Sequence, residues 1–278
     1  MARLGRWNDI AYAATRHAKR RLDIASPSSA LLPGARRLPV CVFVHGGSWQ
    51  RGDKSESVLN RDIDRAFAAR GCVGVSVNYR LSPEVQHPEH ALDVAAALHW
   101  LRSNIDKYGG DPERFVLVGH SAGAHLLLLL LADPQFLRAA GVEDDASAFV
   151  RGAVGISGVY NIVRLANAPF YGALVATPAF GERADQWREA SVTSALTKER
   201  GKSPLTRTPL LLLTAEDDFH FGEDADELEK WLRAAGSSRV ERKVIAKRNH
   251  FSILRELTEN SADEAMQHIS QFIQRVVA

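Results

Sequence analysis

Val116-Leu-Val-Gly-His-Ser-Ala-Gly-Ala-His-Leu-Leu-Leu-Leu-Leu-Leu131 joins an apolar run to an apolar helix through the turn Gly119-His-Ser-Ala-Gly123. Glycines on both sides of Ser121 permit a sharp strand-to-helix turn with a strained central residue. Such a turn lifts a serine hydroxyl clear of the sheet and sets it at a helix N-terminus, where backbone N–H groups favour developing negative charge. Gly-x-Ser-x-Gly alone has little specificity, because small residues gather in many loops. With a strand before it and a helix after it, the stretch becomes a hypothesis about the whole chain. If Ser121 is a nucleophile, the remaining sequence must supply a base, an acid and donors for an oxyanion.

The flanking sequence reads as an α/β protein. Leu38–Val44, Cys72–Val77, Phe115–Val118, Gly152–Ser157, Pro209–Thr214 and Val240–Ala246 are short apolar, strand-like runs, and Arg21–Ile24 begins another extended piece. Between them, apolar residues recur at helical spacing: Leu59, Ile63, Ala66 and Phe67, then Ala91, Ala95, Leu98 and Leu101. Later come Ala225, Leu228, Trp231 and Leu232, and finally Met266, Ile269, Ile273 and Val276. This alternation implies a mostly parallel sheet with right-handed crossovers and helices on both faces. Residues 1–22, apolar at Leu4, Trp7, Ile10 and Ala14, are expected to form a solvated helix. Their basic residues Arg3, Arg6, Arg16, Lys19, Arg20 and Arg21 are interrupted by Asp9 and followed by Asp23, which argues against a transit peptide.

Residues 158–208 break the pattern. Tyr160, Phe170, Tyr171, Phe180 and Trp187 stand among prolines and glycines with no clean period. Roughly fifty residues are more than a connection needs, so a small cap or lid over the strand ends is expected. The alternative is a set of surface excursions anchored by a few aromatics. No repeat or linker divides the chain, and 1–278 is expected to be one domain.

At 278 residues, 45% of them hydrophobic, the chain can build a sizeable core. A net charge of +2 gives no electrostatic reason to expect nucleic acid or a membrane surface. No apolar run reaches the ~18–20 residues of a membrane span, and no secretory signal is evident. Cys41 and Cys72 fall in strand-like runs and read as core thiols. The expectation is a soluble, cytoplasmic protein, with a homodimer left open. Neither a metal-ligand spacing nor a phosphate-binding glycine loop occurs, so no metal and no cofactor are expected.

In an open parallel sheet, ligands meet the loops at the carboxyl ends of the strands. Those loops carry His45-Gly-Gly-Ser-Trp49, Ser121, Asp217-Asp218 and His250. A serine hydroxyl needs a histidine to take its proton and a carboxylate to hold the imidazole. The chain order serine, acid, histidine is that of the hydrolase nucleophile-elbow arrangement. His250 is the base by that order. The acid is Asp218 if Ala215 takes the place of the glycine in a Gly-x-x-Asp turn, with the adjacent Asp217 as the other choice. N–H groups of Gly46, Gly47 and Ala122 make the expected oxyanion hole, and His45 is expected to order their loop. Trp49, Tyr160 and Phe170 are expected to line an apolar substrate pocket. The other histidines, His120 and His125 among them, lie where this order demands none.

Together, His45-Gly-Gly-Ser-Trp49, Asn78-Tyr-Arg80, Tyr108-Gly-Gly-Asp-Pro112 through His125, and Asn249-His-Phe-Ser-Ile253 resemble α/β-hydrolase esterases around kynurenine formamidase. Bacterial feruloyl-esterase-like and isoprenylcysteine-methylesterase-like proteins carry similar segments. The resemblance runs from about Arg21 onward and implies the α/β-hydrolase fold, with a triad and hydrolysis of a small-molecule ester or formamide. Ser157-Gly-Val-Tyr-Asn161 looks closer to the methylesterase-like branch. Two departures, Ala215 for the usual glycine and Ala190-Ser-Val192 where many relatives have Ser-Pro, both lie near the expected cap. The favoured reading is hydrolysis of small or aromatic carboxylic esters. Arylformamidase chemistry on the same triad is the first alternative, and a non-catalytic ligand-binding hydrolase fold is the second.

Overall fold

Strands whose residues alternate between two apolar faces can be covered on both sides, and the central strands of this chain do so. The computed structural model describes residues 3–278 except 16, 56–58, 60, 200, 201 and 261, so Arg16 of the basic cluster lies outside the described residues. The strands are β1 (Leu4–Ala11), β2 (Arg21–Pro27), β3 (Leu38–Val44), β4 (Val73–Val77), β5 (Gly110–His120), β6 (Val150–Ile156), β7 (Leu210–Asp217) and β8 (Val240–Asn249). They form one sheet in the order β1-β2-β4-β3-β5-β6-β7-β8. From β4 to β8 all neighbours are parallel, whereas β2 runs antiparallel to both β1 and β4.

The helices are α1 (Ile63–Ala68), α2 (Glu89–Asn104), α3 (Ala122–Ala132), α4 (Gln135–Ala139), α5 (Ile162–Asn167) and α6 (Thr177–Phe180). Then follow α7 (Ala184–Ala190), α8 (Val192–Lys198), α9 (Pro204–Arg207), α10 (Phe221–Ala234), α11 (Ser252–Glu259) and α12 (Glu264–Val277). Val42, Leu117 and Leu212 face one core with Leu98 of α2, Leu128 of α3 and Leu228 of α10. Phe43, Val116 and Leu211 face the other, with Phe67 of α1, Leu254 of α11 and Ile269 of α12. Every residue of α3 is buried, as a helix apolar all round requires. Each buried leucine contributes about 1.5–3 kcal/mol relative to an exposed one, so the run after Ser121 anchors the turn that holds it.

The expected N-terminal helix is instead strand β1. Its register against β2 passes from Trp7 opposite Ile24 to Ile10 opposite Leu22, so one extra residue sits in β1. Asp9 takes φ 56° at this bulge, and its N–H donates to the Asp23 carboxylate at 2.8 Å. A bulge puts residues three apart on one face, and Trp7 and Ile10 both pack on the core. Their spacing therefore imitates a helix. The helix expected from Leu59 begins only at Ile63.

Among the described residues of 158–208, α5 to α9 and a π-helical turn at Gly172–Ala176 account for most of the segment. The pieces are four to seven residues long, too short for a helical period to show. Ser191, in the unusual Ala-Ser-Val segment, ties two of them together. Its Oγ accepts from the N–H of Ile162 at 2.9 Å and donates to the carbonyl of Trp187 at 2.7 Å. Cys41 and Cys72 are free and buried. Among the described residues, no helix is long and apolar enough to cross a membrane.

Candidate active site

Ser121 sits between β5 and α3 with φ 52° and ψ −118°, a backbone conformation that costs a non-glycine residue about 1–3 kcal/mol. The surroundings hold it there. Its N–H donates to the carbonyl of Ile156 at 2.9 Å, and its carbonyl accepts from the N–H of His125 at 3.1 Å. Close packing of α3 on β3 demands Gly123, because a Cβ there would lie 2.1 Å from the carbonyl oxygen of Val44.

His250 follows an irregular end of β8. The register against β7 passes from Ala215 opposite Ile245 to Asp217 opposite Asn249. Lys247, at φ 58°, donates its N–H to the Glu216 carboxylate at 2.8 Å. The His250 N–H then bonds the carbonyl of Asp217 at 3.1 Å. Its ring Nδ1 meets Oδ1 of Asp218 at 2.7 Å, while Oδ2 of Asp218 accepts from the N–H of Ala215 at 3.1 Å. Asp217 is exposed, whereas Asp218 and His250 are buried.

The loop after β3 lies against the serine: a Cβ on Gly46 would come 3.0 Å from the Cβ of Ser121. Gly47 has φ 116°, and a Cβ there would lie 2.0 Å from the carbonyl oxygen of Arg51, so no other residue fits. Ser48 and Trp49 continue in the left-handed region at φ 55° and 58°. Ala122 opens α3, so its N–H has no acceptor within the helix. His45 braces this loop: Nδ1 donates to the carbonyl of Gly46 at 2.7 Å and the ring stacks on Tyr79 at 4.7 Å. Burial pushes the His45 imidazole down to about 4, which keeps it neutral at neutral pH.

Ser121, His250, Gly46, Gly47 and Trp49 line one cavity of about 480 Å³. Its apolar walls include Val159, Leu165, Val175, Phe219, Phe221 and Leu254. Trp49 is buried, with its indole N–H donating to Nδ1 of His125 at 3.2 Å and its ring edge-on to Phe180 at 4.7 Å.

The other two expected pocket residues are not among those lining it. Tyr160 is buried, its N–H held by the Asp224 carboxylate at 2.7 Å and its phenol packed beside Gly155 and Gly158. Phe170 is 83% exposed, and its neighbour Tyr171 lines the cavity instead.

Sequence order alone also passed over His120 and His125. Nε2 of His120 donates to the carbonyl of His250 at 2.9 Å, and burial lowers this imidazole to about 3. Phe219, Phe221 and Phe251 adjoin Asp218 and His250 in sequence, and that adjacency was the available signal for them. Among the described residues, no group of three His, Cys, Asp or Glu side chains could hold a metal.

Esterase LipC of Mycobacterium tuberculosis is 40% identical over 126 residues, 44% of this chain and 30% of that relative. The chain thus spans about a third of the length of the curated relative it matches there. Kynurenine formamidase of Meyerozyma guilliermondii is 31% identical over 156 residues, 56% of each protein. Among solved structures, a truncated carbohydrate esterase from gut microbiota superposes with a TM-score of 0.77 at 17% identity, covering 98% of this chain and 96% of that one. That likeness shows the α/β-hydrolase fold. The BD-FAE family model matches residues 22–197, more than half of the chain, and the chain belongs to the BD-FAE family.

Proposed function

We infer that the protein is a serine hydrolase of small or aromatic carboxylic esters. The observation that carries this reading is the shared cavity: Ser121 on its strained turn and His250, backed by Asp218, open onto one apolar space beside Gly46 and Gly47. Ser121 Oγ attacks the ester carbonyl carbon while Nε2 of His250 accepts its proton. N–H groups of Gly47 and Ala122, with Gly46, hold the oxyanion of the tetrahedral intermediate. The C–O bond to the alcohol then breaks, His250 protonates the departing oxygen, and an acyl group remains on Ser121. Water, deprotonated by His250, releases the acid and restores the serine. Asp218 holds the imidazole in the tautomer with its proton on Nδ1 and stabilises the transient cation.

A cavity of about 480 Å³ with apolar walls supports compact acyl or aryl groups over polymers. Residues 158–208, whose Val159, Leu165, Tyr171 and Val175 line it, act as a cap within one domain. Two buried free thiols support a reducing, cytoplasmic setting. The relationship to a kynurenine formamidase favours one second reading, cleavage of an N-formyl bond by the same residues.

A fluorophosphonate probe tests the mechanism. Wild type should label, whereas Ser121→Ala should not and His250→Ala should label far more slowly. Equal labelling of Ser121→Ala would remove the nucleophile from the scheme. Turnover of N-formylkynurenine against short p-nitrophenyl esters separates the two substrate readings.

A further inference from the structure

Among the described residues that line the cavity with Ser121, Asp53 and Arg51 carry a formal charge. Asp53 is one of the two charged residues there, and its carboxylate is already occupied. Oδ2 accepts from Nζ of Lys19 at 2.9 Å and from Nδ2 of Asn78 at 2.6 Å, while Oδ1 accepts from the N–H of Ser55 at 3.1 Å. Burial alone would raise this carboxyl, but the bonds from Lys19 and Asn78 outweigh it and bring it to about 2. Lys19 also donates to the carbonyl of Gly52 at 2.8 Å, so its own charge stays at this corner. The pair leaves no net negative charge for a neighbour.

Arg51 is the other charged residue. Its backbone is locked onto the oxyanion loop, its N–H donating to the carbonyl of Gly47 at 3.0 Å. Its side chain starts against the same glycine, since a Cβ on Gly47 would lie 3.2 Å from Cγ of Arg51. Among the described residues, no carboxylate comes within 4 Å of its guanidinium. Arg51 is exposed where it lines the cavity, and a guanidinium there can anchor a planar anion, because it offers paired donors in one plane. The aromatic and aliphatic walls offer an anion nothing comparable.

We propose that Arg51 is a specificity-determining residue that selects esters carrying a second, anionic group, a carboxylate above all, on the acyl or alcohol part near the scissile bond. This rests on the serine-hydrolase reading above and narrows it. The substrate is a small amphiphile whose apolar part fills the space by Val159, Leu165 and Phe219 while its anion meets Arg51.

The test compares two p-nitrophenyl esters of similar size, one with a glutaric half-ester acyl group bearing a free carboxylate and one with a neutral valeryl group. The quantity read is the ratio of kcat/KM for the anionic ester to that for the neutral ester. Replacement Arg51→Gln should lower this ratio at least tenfold, chiefly through KM for the anionic ester. Arg51→Glu should lower it further, and Arg51→Lys should restore part of it. Raising the salt concentration should lower the wild-type ratio and leave that of Arg51→Gln nearly flat. Because the neutral ester is measured on the same preparation, general damage to the fold cancels from the ratio. An equal ratio in wild type and Arg51→Gln, with Ser121→Ala inactive on both esters, overturns the role of Arg51 alone. Undiminished turnover by Ser121→Ala, or none by wild type on either ester, overturns the hydrolase reading and takes this inference with it.

Discussion

The indole N–H of Trp49 ends on Nδ1 of His125, and Nε2 of that same ring donates to the carbonyl of Ala190 at 2.7 Å. One neutral imidazole therefore joins the loop beside Ser121 to the end of α7. The ring is fully buried, and burial lowers it to about 3, so it stays uncharged and keeps one donor and one acceptor. Position of the loop after β3 and position of the end of α7 are set through the same side chain.

Breaking either bond should therefore slow chemistry more than it weakens binding. Trp49→Phe leaves Nδ1 of His125 buried without a donor, at a cost of about 1–3 kcal/mol. We expect kcat on a short p-nitrophenyl ester to fall about tenfold or more in Trp49→Phe and in His125→Gln. The double variant should lose little beyond the worse single one, because the two residues act as a unit. Fully additive losses in steady-state kinetics would show that they act separately.

Asp218→Asn should lower kcat by roughly 10³–10⁴, the scale seen when a triad carboxylate can no longer hold the imidazole tautomer. Asp217→Asn, changing an exposed carboxylate whose backbone carbonyl still receives the His250 N–H, should stay within about threefold of wild type. Comparing the two variants on one ester decides the acid.

Stability should decline with acid before the carboxylates titrate. Burial lowers His87 and His90 to about 4 and His120 and His125 to about 3, whereas an unfolded histidine titrates near 6.5. Below about 6.5 the unfolded chain binds protons that the folded chain refuses. The contribution of these groups is thus fully present above pH 6.5, falls as pH drops towards 4 and levels off below about 3. Urea midpoints measured between pH 7.5 and 4.5 should show this slope. Among the described residues, neither ring nitrogen of His87 has a hydrogen-bond partner, so His87→Leu should flatten the slope and raise the midpoint at pH 5.

Gly123→Ala should cost roughly 2–4 kcal/mol, because the added methyl meets the backbone of Val44 rather than a flexible side chain. Its thermal midpoint should fall well below that of Ala124→Gly, a helix change of about 1 kcal/mol plus the loss of a buried methyl. Near-wild-type stability in Gly123→Ala would mean that α3 can draw back from β3.

Central strands were legible in sequence because they are short, apolar and separated by helices with clear periods. The turn at Ser121 was legible because glycines flank the serine between an apolar run and an apolar helix, and His250 because it follows the last strand-like run. β1 was not, since one bulged residue converts a period of two into a spacing of three. The helices of residues 158–208 were hidden by their brevity. Tyr160 and Phe170 were chosen as aromatics in the right segment, yet which aromatic faces a cavity depends on how that segment docks. His125 shows the same limit: its partners, Trp49 and Ala190, lie 76 and 65 residues away.

The irregularities in β1 and β8 share a design. Each outer strand carries a left-handed residue, Asp9 or Lys247, whose N–H is taken by a carboxylate of the adjoining strand, Asp23 or Glu216. β1 and β8 are also the two margins of the sheet, where unsatisfied backbone groups would otherwise template a further strand. β8 adds the exposed charges of Glu241, Lys243 and Lys247 along its length. A strand offered by another molecule thus meets a kinked, partly satisfied and charged ladder on either side, which discourages runaway fibrous growth of the sheet.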